Sequence, residues 1–316
     1  MNPLEIYKTL YLIRGSEELI INHYKENEMK TPMHMSMGEE AIVVAIVAAL
    51  QKKDLVFGTY RSHALYLAKT GDIDGFFAEL YGKVTGSARG KAGSMHLAKP
   101  SKNMMLTSAV VGTTIPVAVG AALSNKIQKN NRIVATFFGD GAIDEGVFWE
   151  SLNFACLKQL PILFVCEDNN LAIHSHIKER QGYRSIEQVV SQFNCLVGSS
   201  ETTDVFEIYK LTANILEKMK KSGKPAFLHL KYYRYLEHVG VQEDFSSNYR
   251  SREEYLRWKK VDPILIARKY LLKTGVKEEE IVIMEKNINL KLQKSINKAK
   301  NALYPEETEL FTDIYG

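Results

Sequence analysis

Cysteine is scarce in this 316-residue chain, and none of the three falls in a Cys-x-x-Cys pair. A disulfide framework and a thiolate zinc site are both excluded on that ground. No secretory leader precedes Cys156, Cys166 and Cys195, so they read as reduced thiols of a cytoplasmic protein. Long apolar runs are missing as well. The longest, residues 41–50, is about half the length needed to cross a bilayer. The stretch 109–123 is broken by Gly112, two threonines and Pro116. Neither sign of charge dominates: 41 Lys and Arg stand against 37 Asp and Glu, a net +4. That balance suits a protein handling anionic metabolites and speaks against a nucleic-acid binder. No repeat or low-complexity tract occurs, and no Gly-x-Gly-x-x-Gly follows a strand-like run, which weighs against a dinucleotide.

What is present is enough apolar mass, 45% of residues, for one large core, and a single domain over 1–316 is the simplest reading. Residues 3–27 carry helical periodicity, and a Met-rich polar loop at 30–38 leads to an apolar helix at 40–50. Three almost continuously apolar runs, 132–138, 161–167 and 225–231, read as strands buried on both faces of a parallel sheet. Helical segments at 144–158 and 203–221 separate them. This alternation predicts an α/β fold with a doubly wound, mostly parallel sheet flanked by helices. The glycine- and lysine-rich stretch 81–103 has no period and reads as an ordered functional loop or a mobile linker. A helical tail at 278–300 ends in Tyr304-Pro305 and a short apolar run at 310–315.

Chemistry concentrates at Gly139-Asp140-Gly141-Ala142, which follows the first of those strands. Asn169, 29 positions after Asp140, ends the next one. Ligands of open parallel sheets bind at the carboxyl ends of strands, so both side chains should reach one crevice. Glycines there let the backbone approach a phosphate, and amides opening a helix favour an anion. An aspartate, an asparagine oxygen and the Leu171 carbonyl are hard oxygen ligands of the kind magnesium takes alongside phosphate oxygens and water. By itself, Gly-Asp-Gly is only a tight turn. The partner at the end of a second buried strand argues for more.

The Gly-Asp-Gly…Asn pattern resembles the thiamine-diphosphate motif, and other blocks narrow the resemblance. They are Gly38-Glu39-Glu40-Ala41 after His34, Tyr60-Arg61-Ser62-His63, Gly90-Lys91-Ala92-Gly93-Ser94-Met95-His96 and Val110-Val111-Gly112. Tyr233-Arg234-Tyr235 with His238, and Tyr249-Arg250-Ser251-Arg252-Glu253-Glu254 with Asp262-Pro263-Ile264, continue the series in order. Together these blocks are similar to the α subunit of the decarboxylating component of pyruvate, branched-chain and acetoin dehydrogenase complexes.

The resemblance implies a thiamine-diphosphate-binding fold, with thiamine diphosphate and Mg2+ as cofactors. It also implies oxidative decarboxylation of a 2-oxo acid with acyl transfer to a lipoyl group. Tyr60 and Arg61 would contact the cofactor, with Arg61 pairing to the diphosphate. The backbone of Ala109 and Val111 would hold the aminopyrimidine. Gly139, Gly141 and Ala142 would cradle the diphosphate, while Asp140, Asn169 and Leu171 bind the metal. Ile173 would wedge the cofactor into its bent form. Catalytic roles would fall to His238, His34, His63 and Glu150, the last as the acid of a proton relay between two active sites. His238 would contact the diphosphate or donate a proton, as a near-neutral pKa permits. His96 could be purely structural, and His23, His176 and His229 read as surface or structural histidines.

Departures matter too. Leu236-Glu237-His238-Val239 stands where the pyruvate enzymes read His-Gly-His-Ser, so control by phosphorylation there is excluded and the identity of the oxo acid is left open. Asp168 replaces the usual asparagine before Asn169. The glutamate that activates the pyrimidine belongs to the β subunit in this family. A β partner, in an α2β2 assembly served by a lipoyl transacylase component, is therefore expected, with the isolated chain inactive. The loops at 81–103 and 236–248 match parts that lie over the cofactor and should gain order from it. Two alternatives stay open: a thiamine-diphosphate decarboxylase or carboligase without a lipoyl acceptor, and a regulatory diphosphate-binding protein on the same fold. No nucleic-acid or membrane partner is expected.

Overall fold

The structure, a computed structural model, describes residues 2–312. The end of the apolar run at 310–315 lies outside them. Six parallel strands form the central sheet: β1 (Leu55–Thr59), β2 (Met104–Ser108), β3 (Val134–Gly139), β4 (Ile162–Asp168), β7 (Leu196–Ser200) and β8 (Ala226–Lys231). Their order is β2-β1-β3-β4-β8-β7. A two-stranded hairpin, β5 (Leu171–Ala172) with β6 (Ser175–His176), follows β4 and folds back beside its carboxyl end.

Alternation along the central strands explains the layers. In β4, Ile162, Phe164 and Cys166 enter one core while Leu163 and Val165 enter the other. The first core holds α5 (Thr114–Gln128) and α6 (Gly146–Lys158), with Ile115, Phe148 and Leu152 packed against Phe138 and Phe227. The second is larger and gathers α1 (Pro3–Tyr24), α2 (Glu40–Ala49), α3 (His63–Thr70), α4 (Ile73–Leu80), α9 (Val205–Ser222), α11 (Pro263–Lys273) and α12 (Glu278–Asn301). A strand buried on both faces must be apolar at every position, which is why 132–138, 161–167 and 225–231 stand out in the sequence.

The expected doubly wound α/β architecture is present, with three strands the sequence reading passed over: β1, β2 and β7. β2 and β7 are the edges of the sheet and half-exposed, and β1 carries Gly58. The first predicted helix ends at Tyr24 rather than 27, where Asn27 turns left-handed at φ +58°. A 3-10 turn, Asp140–Asp144, stands between β3 and α6, so the helix opens at Gly146. No helix among the described residues is long and apolar enough to cross a membrane.

Residues 81–103 form an ordered loop rather than a free linker, and none of them lines the cleft at the sheet's carboxyl end. The loop closes on the buried carboxylate of Glu79, which accepts from the amides of Ala88, Gly90, Ala92 and Gly93 at 2.7–3.0 Å. The 236–248 loop is tied down as well. Gly240 N donates to Met33 O at 2.7 Å, and Arg250 donates to the carbonyls of Arg234, Tyr235 and Leu236.

Candidate active site

β1 and β3 are neighbours, yet the chain leaves them in opposite directions, β1 towards β2 and β3 towards β4. Such a switch opens a crevice beyond the strand ends. A cleft of about 310 Å³ lies there. β1 delivers Thr59, Tyr60 and Arg61, β3 delivers Gly139 to Ala142, and β4 delivers Glu167 and Asn169. Leu171, Ala172 and Ile173 come from the hairpin, Val111 and Gly112 from the end of β2, and Tyr232 and His238 from beyond β8.

The turn after β3 is held tightly. A Cβ on Gly141 would come within 3.0 Å of Ala172 Cβ, so glycine lets the backbone lie close against the hairpin. Asp140 is buried; its Oδ2 pairs with Arg180, while Oδ1 has no hydrogen-bond partner. Arg180 also pairs with Asp144, and Gln181 Nε2 donates to Asp144 Oδ1 at 3.0 Å. Asn169 Nδ2 donates to Tyr232 Oη at 2.8 Å, and its Oδ1 accepts from Leu171 N at 3.0 Å. A second lone pair on that amide oxygen remains available.

Two of the other acids lining the cleft are buried. Glu39 is buried with neither carboxyl oxygen hydrogen-bonded, and Glu167 is buried with Oε1 unpaired. Gly38 places Glu39: its φ is +106°, and a Cβ would sit 1.9 Å from Tyr233 O. Burial pushes Glu39 up to about 8 against the pull of Arg61. Glu167 is driven well up by burial and then by Glu39. Burial, then the Asp168 charge, raises Asp140 to about 6, although Arg180 opposes the shift. A buried acid without partners favours its neutral form or a cation.

The histidines behave in the opposite sense. His34, Tyr60 and His238 pack as a ring cluster, with centroids 4.5 Å (His34–Tyr60), 5.2 Å (His34–His238) and 5.6 Å (Tyr60–His238) apart. Burial, then Arg61, lowers both imidazoles to about 3. The near-neutral pKa expected for His238 is thus shifted down in the empty cleft, where a low-dielectric wall and a fixed guanidinium disfavour a second cation. Arg61 itself donates Nη1 to Met35 O at 2.7 Å and Nη2 to His238 O at 3.0 Å. Its fork therefore braces the loops carrying His34 and His238.

Eleven of the twelve expected cofactor contacts line this cleft, namely Tyr60, Arg61, Val111, Gly139, Asp140, Gly141, Ala142, Asn169, Leu171, Ile173 and His238. Ala109 lies just outside, beyond the end of β2. His63 is not brought to the cleft. It is fully buried, with Nδ1 2.7 Å from Glu17 Oε1 and Nε2 3.1 Å from Ser94 Oγ, so both ring nitrogens are engaged within the core. Glu150 is exposed on α6, away from the cleft and four residues before the exposed Phe154. His229, set aside from the sequence, bridges Asp168 (2.7 Å) and Glu187 (2.7 Å), and these partners raise its pKa against the burial that lowers it.

Residues 8–308 match the family described as dehydrogenase E1 component. The chain belongs to that family. Among its relatives is the α subunit of acetoin:2,6-dichlorophenolindophenol oxidoreductase of Bacillus subtilis, 29% identical over 99% of this chain and 93% of the relative. The pyruvate dehydrogenase E1 component α subunit of Rickettsia typhi is 28% identical over 99% and 95% of the two chains. The mitochondrial pyruvate dehydrogenase E1 α-1 subunit of Arabidopsis thaliana is 30% identical over 99% and 79%. The E1 family is thiamine-diphosphate dependent, and the chain is similar to α subunits of 2-oxo-acid dehydrogenases along almost its whole length.

The E1 site also contains groups that sequence reading missed. A signal existed for Glu167: a carboxylate inside a strand otherwise buried on both faces is costly unless it has work to do. Arg180 gave no signal, since its proximity to Asp140 depends on the hairpin.

Proposed function

We propose that this E1-family chain binds thiamine diphosphate and Mg2+ in the cleft and, with a β subunit, decarboxylates a 2-oxo acid, passing the acyl group to a lipoyl carrier of a transacylase component. The observation that carries the reading is the unpartnered Asp140 Oδ1 at a glycine turn beside Asn169. Among the described residues no three His, Cys, Asp or Glu side chains form a metal site by themselves. That fits an ion whose remaining ligands are an amide oxygen, the Leu171 carbonyl and diphosphate oxygens. When bound, thiamine diphosphate supplies a nucleophilic thiazolium carbon and a sink for the electrons released with carbon dioxide.

The chain's own residues then have defined tasks. Amides of Gly141 and Ala142 would hold the diphosphate, and Arg61 would add positive charge to its site. Ile173, 56% exposed and turned left-handed at φ +56°, would supply an apolar prop for the cofactor. His34 and His238 would offer hydrogen bonds to the reacting groups, and an arriving anion would raise their pKa. Val110, Val117, Phe154 and Leu157 are exposed apolar side chains on and beside the paired helices α5 and α6. They support a partner surface there, where Glu150 also points; a proton-relay role for Glu150 requires that partner. His63 serves the core rather than the substrate.

Calorimetry with thiamine diphosphate and Mg2+, on the chain with and without its β partner, tests the reading. A screen of 2-oxo acids with an artificial electron acceptor then identifies the substrate. Equal cofactor binding by wild type and Asp140→Ala would overturn the metal assignment. Robust decarboxylation by the α chain alone would overturn the need for β.

A further inference from the structure

At the opposite end of the sheet a second hollow, about 680 Å³, lies among the loops that lead into β1, β3, β4 and β8. Six cations line it: Lys53, Lys126, Lys129, Arg132, Lys220 and Lys224. Among the described residues no carboxylate lines it; Asp54, behind the wall, is buried and accepts from the amides of Gln51 and Ile133. Ile133, Pro161 and Met219 give the hollow an apolar floor.

The ordinary reason for lysines here is that α5, α6 and α9 all end nearby, and cations complement helix C-termini. That reason accounts for Lys126, whose Nζ donates to Lys158 O at 2.5 Å. Arg132 is engaged too, on Lys53 O at 2.7 Å and Asn103 Oδ1 at 2.6 Å. The helix ends are otherwise closed by backbone. The amides of Lys129, Gln159 and Gly223, all left-handed, cap α5, α6 and α9 respectively. The ammonium groups of Lys53, Lys129, Lys220 and Lys224 make no ion pair or hydrogen bond among the described residues. Four free ammonium groups around one concavity repel each other, and a cleft lined by one sign of charge concentrates its field on an anion.

We propose that this basic hollow binds an organic polyphosphate of nucleotide size, with Lys53, Lys129, Lys220 and Lys224 taking the phosphate oxygens and the apolar floor taking the organic part. The volume lies within the roughly 300–1,000 Å³ of small-molecule sites. Cations grouped around a hollow, in a chain of net charge only +4, suit a compact ligand better than the continuous basic stripe a nucleic acid needs. The site is separate from the E1 cleft and its occupation does not depend on the cofactor reading.

The test is titration calorimetry on the full chain with ADP, inorganic tripolyphosphate and adenosine, in parallel on wild type, Asp140→Ala and the double variant Lys220→Glu/Lys224→Glu. Expected results are saturable binding of one ADP or tripolyphosphate per chain, none of adenosine, and no change in Asp140→Ala. The double variant should bind roughly tenfold more weakly or worse, the scale of losing charge-assisted hydrogen bonds. Lys220 is in the last turn of α9 and Lys224 is in the loop just beyond it, and neither is buried, so the fold should survive, as circular dichroism can verify. No saturable ADP binding, or binding unaltered by the charge reversal, would overturn the proposal. Loss of ADP binding in Asp140→Ala would assign the nucleotide to the E1 cleft instead. Tighter binding of a hexaglutamate peptide than of ADP would assign the surface to an acidic protein partner.

Discussion

Two glycine-rich segments of this chain surround a buried carboxylate, and they do opposite things with it. Around Glu79 the loop folds inward until both carboxyl oxygens accept two amides each. Around Asp140 the turn stops short, leaving Oδ2 on Arg180 and Oδ1 with nothing. Each carboxylate is 1% exposed, so burial does not distinguish them. Hydrogen-bond satisfaction does. A satisfied buried acid stabilises its loop, whereas an unsatisfied one costs the empty protein free energy that a ligand can recover. The same contrast separates the neutral, unpaired Glu39 from the ion-paired Glu40, which accepts from Arg14 at 2.6 Å and from Gly38 N at 2.7 Å.

The contrast breaks first at Asp140. Asp140→Ala should cost at least about 4 kcal/mol in the joint binding of thiamine diphosphate and Mg2+, since an anionic ligand is removed from a buried site. Stability of the empty chain should stay within about 1 kcal/mol of wild type, because the lost Arg180 pair is offset by removal of an unsatisfied oxygen and Arg180 keeps Asp144. Calorimetry and urea denaturation read the two halves separately. Glu79→Ala should show the reverse pattern. Four amides lose their acceptor, and the expected loss of stability is about 3 kcal/mol, with proteolysis opening at residues 86–93. Cofactor affinity per folded molecule should hardly change. Cofactor binding abolished by Glu79→Ala in a chain that remains folded would dissolve the comparison.

The sequence carried the parts of this picture that depend on periodicity and local motif. Continuous apolar runs announced β3, β4 and β8, and the Gly-Asp-Gly turn announced the end of the sheet at which the cleft lies. It could not show that His63 turns inward, since that follows from Glu17 on α1 and Ser94 in a distant loop holding its two nitrogens. Nor could it tell the Glu79 loop from a mobile linker, because glycines chosen for closing on a carboxylate look like glycines chosen for flexibility. The edge strands β2 and β7 were hidden for a different reason: half-exposed edges need no apolar residue at every position.

A smaller effect concerns pH. His34 and His238 have folded-state values near 3, against about 6.5 when unfolded. The unfolded chain therefore binds more protons between those limits, so their contribution to stability is present above pH 6.5 and is lost as pH falls towards 3. Asp140, raised to about 6, acts in the other direction, reducing stability as pH rises from about 4 to 6. Comparing wild type with His238→Asn isolates the share of His238 in the histidine effect. Between pH 6.5 and 4 the wild type should lose about 1–2 kcal/mol more than the variant, a figure limited by water reaching the ring. A histidine NMR titration showing His238 half-protonated near pH 6.5 in the empty chain would remove the basis for this.

The smallest effect sharpens the comparison at the level of the backbone. Besides the asparagines Asn103 and Asn170, a residue of another type is left-handed near each carboxylate, Arg89 at φ +58° in the Glu79 loop and Ile173 at φ +56° on the hairpin that lines the Asp140 cleft. Arg89 is unbranched at Cβ, and the conformation is a mild burden. Ile173 is β-branched, the worst kind of side chain for it, and it is 56% exposed, so little burial offsets the strain. Strain of this kind persists where surrounding structure imposes it, here the β5–β6 hairpin turn, and it is worth about 1–3 kcal/mol. Asparagine tolerates the left-handed region without the added chain entropy of glycine. Ile173→Asn should therefore raise the stability of the empty chain by about 1 kcal/mol, while Arg89→Asn should change it by less than about 0.5 kcal/mol. In the loaded enzyme the ranking should invert, with Ile173→Asn lowering turnover because the apolar prop under the cofactor is gone, and Arg89→Asn leaving turnover alone. Urea denaturation of the two variants, followed by turnover with a saturating artificial acceptor, measures both halves. If Ile173→Asn destabilised the empty chain, the side chain would be there for packing, and the strain would have no link to the cleft.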